Sequence, residues 1–146
     1  MKTTQIHSRY VEWLNADRMH INSQDWLSEL RFITDEHLFF EDLIKSYTLD
    51  LLKPQEFVYN KEIIDKISTS KKRNKILIEA VKVHANKLQI MLDDIEQPQE
   101  EEAYKKEHLY LIIEINEFEK KYRTLKTQLF DIIKTIKKQK KVPLLT

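Results

Sequence analysis

The sequence predicts an all-α protein: an elongated antiparallel three-helix bundle with coiled-coil-like packing, preceded by a segment able to add a short N-terminal helix. Three observations carry this expectation. Apolar residues recur in alternating steps of three and four along three long segments, the spacing of helices that share a supercoiled seam. Charged residues, 34% of the chain, are interspersed with 41% hydrophobic residues, a composition typical of long packed helices. Glycine is absent from all 146 residues, which removes the glycine-rich phosphate cradles and dinucleotide-binding turns of other fold classes.

The first helix is expected along the row Trp26, Leu30, Ile33, His37, Phe40, Ile44, Tyr47 and Leu51. Ser23 or Asn22 can cap its start, and Pro54 stops it, because proline disfavours helical geometry in the residue before it. The second row reads Ile63, Ile67, Ser70, Asn74, Leu77, Val81, His84, Leu88, Met91 and Ile95, with Asn60 as its cap. The third reads Tyr104, His108, Leu111, Ile115, Phe118, Tyr122, Leu125, Leu129, Ile132 and Ile136. Pro98 suits its first turn, and the glutamates at 100 to 102 follow where the positive helix end favours carboxylates.

Short connections at KPQEFVYN and EQPQ make successive helices antiparallel. Reversal around residues 57 and 98 would set His37 level with Leu77, and His84 level with Ile112. The chain then divides into an N-terminal segment (1–22), a bundle (23–141) and a tail (142–146). In the first of these, Ile6, Tyr10, Trp13 and Leu14 share one helical face, too short to be stable undocked.

Composition excludes much chemistry. Without glycine there is no phosphate cradle or dinucleotide-binding turn, and without cysteine no thiol nucleophile, disulfide or thiolate zinc site. Ser68 and Ser70 have no base in their local motif and no oxyanion loop. An enzyme is conceivable only as a metal-bundle oxidase or oxygen carrier. No apolar run reaches membrane-spanning length and no signal peptide opens the chain, so a cytoplasmic protein is expected. A net charge of +1 provides no global field for nucleic acid or membrane. The basic stretch KTIKKQKK lacks the interleaved aromatics of single-strand readers, and reads as a solvated helix end.

Each predicted helix carries one seam histidine: His37, His84 and His108. Metals in bundles are held between facing helices, and the candidate ligands for iron or zinc are His20, His84 and His108. His37 and Glu41 form a weaker second pair. The spacing of His37 and Glu41 resembles one element of the hemerythrin-type di-iron bundles over five residues, which implies an iron site. The rest of that ligand pattern is not met, since Leu88 follows His84 by four, and Ile112 follows His108 by four. The ferritin-like Glu-x-x-His pattern is absent as well. The expected alignment staggers the three imidazoles along the bundle, which disfavours one shared site.

His37, Ser70 and Asn74 instead predict a polar layer, with Glu41 paired to a cation at the same height. The acidic residues 35, 36, 41 and 42 match the basic levels 71–75 and 120–126. Opposite the first seam, Phe32, Phe39 and Leu43 gather within about 40° of one another around the helix. They await either the N-terminal segment or a second chain. The functional expectation is a non-catalytic helical-bundle protein, a scaffold, adaptor or regulator, working through a protein partner or self-association and without a cofactor. The alternative is a metal-binding bundle of hemerythrin-like or ferritin-like type.

Overall fold

A computed structural model describes residues 15–93 and 98–141, and among these residues the regular structure is all helix. The elements are α1 (Ala16–Ser46), α2 (Thr48–Leu51), α3 (Phe57–Asp93) and α4 (Pro98–Lys141). No helix among them is long and apolar enough to cross a membrane. The expected N-terminal docking face of Ile6, Tyr10, Trp13 and Leu14 lies outside the described residues, as do the link 94–97 and the tail 142–146.

Helix α1 begins earlier than the expected caps Asn22 and Ser23. The Arg18 backbone N–H donates to Asn15 Oδ1 at 2.8 Å, the reach of an N-cap to the third helical residue, and Asp17 sits in the first turn. The alternating spacing simply continues backwards through Ser23 and Met19, both buried, so Ser23 is an interior residue. At the other end, Tyr47 interrupts the expected run to Leu51. Its backbone sits at φ −112° and ψ 19°, and the single turn of α2 follows before Pro54 ends the helical path.

Helix α3 likewise starts before its expected cap. Asn60 is buried and its Nδ2 donates to the Leu51 carbonyl at 3.0 Å, tying the end of α2 to the start of α3. Helix α4 opens on Pro98 with Glu100 and Glu101 in its first turn, as the dipole favours.

The chain packs as two compact units, each holding a piece of every long helix. The first unit takes α1 as far as Phe32 together with Lys75–Glu117. Its core joins Met19, Leu88, Tyr104 and Leu109, with Ala16, Met91 and Ile112 packed against them. The second unit takes Ile33–Asn74 together with α4 from Phe118 onward. Phe40, Leu51, Ile63, Ile67 and Leu129 are its buried apolar residues with the least exposure. Each such side chain contributes roughly 1.5–3 kcal/mol by leaving water. The seam rows are buried along their described length, apart from half-buried Ile44, Tyr47, Ser70 and Met91.

The alignment differs from the expected one by one to two helical turns. In the second unit His37 meets Ser70 and Thr34 meets Asn74, whereas the sequence placed His37 level with Leu77. In the first unit His84 meets His108 where Ile112 was expected. The cause is the position of the reversals. With α2 ending at Leu51 and α3 starting at Phe57, the midpoint is 54; with α3 ending at Asp93 and α4 starting at Pro98, it falls at 95–96.

Candidate functional site

The first unit holds a chain of hydrogen bonds through two imidazoles with no exposed surface. His84 projects from α3 and His108 from α4, and His84 Nε2 lies 2.8 Å from His108 Nδ1. The far nitrogen of His84, Nδ1, is 2.7 Å from Glu107 Oε1. The far nitrogen of His108, Nε2, is 3.0 Å from Asn22 Nδ2 on α1. Lys87 closes the chain by donating to Glu107 Oε2 at 3.1 Å.

The protons in this chain can be placed by elimination. Burial raises the Glu107 carboxyl, but the bonds from His84 and Lys87 outweigh it and hold its pKa below the ordinary value. Glu107 is therefore a carboxylate at neutral pH and can only accept. His84 must carry its proton on Nδ1, which leaves Nε2 to accept from His108 Nδ1–H. His108 Nε2 then accepts from the Asn22 amide. Every donor points the same way, from Asn22 through His108 and His84 to Glu107.

Both imidazoles are neutral in this arrangement, as their surroundings require. Burial lowers the His84 pKa, with Glu107 opposing it. Burial and the neighbouring His84 push His108 down to about 4. Aromatic rings enclose the pair. Tyr104 stacks on His84 at 4.1 Å and 5° and donates its hydroxyl to the His84 carbonyl at 2.9 Å. Trp26 lies 4.7 Å from His108. A cavity of about 300 Å³ opens beside the relay, lined by Lys87, Ile90, Met91, Tyr104 and Glu107 among others.

The second unit repeats the motif on a smaller scale. His37 Nδ1–H donates to the Ile33 carbonyl at 2.9 Å, and the Ser70 hydroxyl lies 3.0 Å from Nε2 and donates to it. Burial lowers the His37 pKa, the bond to Ile33 opposing it. Asn74 Nδ2 donates to Thr34 Oγ1 at 2.8 Å. Beside this layer, the Tyr122 hydroxyl donates to Glu36 Oε1 at 2.8 Å and Lys126 binds the other oxygen.

The sequence-derived candidates thus fall into distinct places. His84 and His108 come together, whereas His20 is exposed on α1. Among the described residues no group of three histidines or carboxylates could hold a metal ion. His37 and Glu41 share a helix face, but each has its own partner: Glu41 pairs with Lys71 with 40% of its side chain exposed. The carboxylate drawn into the layer is Glu36, whose side chain is 18% exposed. Phe32 is 63% exposed in the first unit, Phe39 is 55% exposed in the second, and Leu43 is half-buried there.

Glu107 and Asn22 were missed as functional partners. The sequence offers Asn22 as a cap and gives Glu107 no distinguishing signal; only the true helix alignment turns either toward a histidine. What the relay can do chemically is limited by its completeness, since each imidazole nitrogen is already engaged. Compared with known proteins, the chain matches no family model, no curated protein and no solved structure.

Proposed function

We propose that the chain is a non-catalytic protein acting through protein–protein contact, as a scaffold, adaptor or regulator. We further propose that its helices form an antiparallel three-helix bundle with coiled-coil-like packing. The observation that carries this reading is the exposure of large apolar side chains on faces turned away from the buried rows. Phe39 on α1 is the leading example at 55% exposure, and Phe32 precedes it by seven residues, two helical turns. The buried polar groups support the same reading: His37, His84 and His108 have both ring nitrogens in hydrogen bonds within the chain, which suits alignment of helices better than turnover.

The test is sedimentation velocity of the wild-type chain and of Phe32→Glu combined with Phe39→Glu. A self-associating wild type that becomes monomeric in the variant supports these residues as the contact. Identical sedimentation of the two removes them as a self-association surface. For a different partner, a photo-crosslinking side chain at position 39 should form a discrete adduct, and loss of that adduct on Phe32→Glu identifies a shared contact.

A second reading is favoured by one observation. Two imidazole nitrogens face each other in the core, and a carboxylate backs one of them, which is how metal-ligating histidines are commonly oriented. Under that reading the chain is a metal-binding bundle for iron or zinc. Native mass spectrometry of untagged protein decides it, since stoichiometric metal lost on His108→Leu supports the site and metal-free protein refutes it.

A further inference from the structure

Helix α3 carries a second apolar row that the buried seam does not use. In the first unit Ile76, Val83 and Ile90 are 57%, 54% and 62% exposed. They recur every seven residues, so at 100° per residue they stay within about 20° of one line. The row spans about 21 Å at 1.5 Å per residue. Three branched aliphatics held in line on a solvated face are a self-consistent contact strip, unlike apolar residues scattered singly.

The pattern around this row is self-complementary. Val83 lies midway between Ile76 and Ile90, and also midway between Glu79 and Lys87. In an antiparallel pair of α3 helices with the two-fold axis at Val83, each residue lies level with its mirror position in the other copy. Ile76 meets Ile90 of the other copy, and Val83 meets Val83. Glu79 comes level with Lys87 of the other copy, on both sides of the axis. A two-fold contact demands this reciprocity. A parallel pairing would instead set Glu79 against Glu79 and Lys87 against Lys87, placing like charges side by side.

We propose that a second copy of this chain docks on the outward face of α3, antiparallel and centred on Val83. The contact uses a different face from the aromatic residues of α1 and stands whether or not those meet a partner. Lys87 also reaches Glu107 within its own copy, and its ammonium, on a side chain 54% exposed, has donors for both carboxylates. The apolar strip is short, so the dimer is reversible and depends on concentration.

Sedimentation equilibrium up to about 100 µM tests the association. The wild type is expected to dimerise, and Val83→Glu, which sets two carboxylates across the axis, to weaken dimerisation about tenfold or more. Because the chain has no cysteine, single substitutions also read the geometry. Under a mild oxidant Val83→Cys should form a disulfide-linked dimer. Ile76→Cys should crosslink to Ile90→Cys in a mixture and not to itself, and Tyr110→Cys on the exposed face of α4 should stay uncrosslinked. A monomer at every concentration overturns the proposal. So does a dimer indifferent to Val83→Glu, and so does self-crosslinking of Ile76→Cys, which marks a parallel pair. Failure of the α1 double variant to change sedimentation leaves this contact standing, so the two ideas fail separately.

Discussion

His84 Nε2 and His108 Nδ1 lie 2.8 Å apart in a core where neither imidazole is charged. Burial opposes charging either ring and lowers both pKa values, and two histidines that close repel one another once both are protonated. The pair therefore links stability to pH in a definite direction.

Because the folded pKa of His108 is about 4 against an ordinary 6.5, the unfolded chain binds the proton first. The stabilisation is complete above about pH 6.5 and is lost as pH falls toward about 4, with His84 shifted the same way. The His108 share is on the order of 3 kcal/mol at the bottom of that window. Urea unfolding across pH 4 to 7 should show this slope, and His108→Leu should flatten it. Parallel slopes for the two proteins would contradict the linkage.

Proton placement gives a second prediction. All three buried histidines should be Nδ1–H tautomers: His84 because Glu107 only accepts, His108 because His84 Nε2 must receive a proton, His37 because the Ile33 carbonyl cannot donate. Long-range proton–nitrogen spectra at pH 7 read this directly. Glu107→Gln should relax the first two, since an amide can turn either its oxygen or its nitrogen to His84. A protonated Nε2 on any of the three in the wild type would show the relay to run differently.

The carboxylates beside His37 should separate cleanly. Glu41→Gln breaks a pair with Lys71 in which both side chains are 40% or more exposed, so it should cost under about 1 kcal/mol. Tyr122→Phe removes the bond to the more enclosed Glu36 and should cost about 1–3 kcal/mol. Thermal or urea unfolding of the two variants compares them, and equal losses would contradict the assignment of Glu36 as the enclosed carboxylate.

Ser23 offers the opposite effect. Its hydroxyl oxygen is buried without a hydrogen-bond partner, and its side chain sits in the seam of α1. Ser23→Ala should leave stability unchanged or raise it by up to about 1 kcal/mol. A clear loss in urea unfolding would mean that the hydroxyl is bonded after all.

What the sequence made legible follows from what is local. The buried rows could be read because three- and four-residue spacing is set by one helix at a time. The same spacing, carried back through Ser23 to Met19, already marked the earlier start of α1, but the attraction of serine as a cap concealed it. Alignment between helices was not legible to within a turn. It depends on where the chain reverses, and Asn60 and Pro54 place that reversal about three residues before the centre the loop composition suggested. A one-turn error hides partnerships such as His84 with Glu107, whereas charge matching at Glu41 with Lys71 and Glu36 with Lys126 tolerates it, because long side chains reach across a turn.

Trp26, packed face-near against His108, turns the core into its own optical gauge. An imidazolium draws excitation away from an adjacent indole more strongly than a neutral ring does. Fluorescence from that tryptophan should consequently dim as acid enters the relay, announcing the arrival of charge before the helices separate.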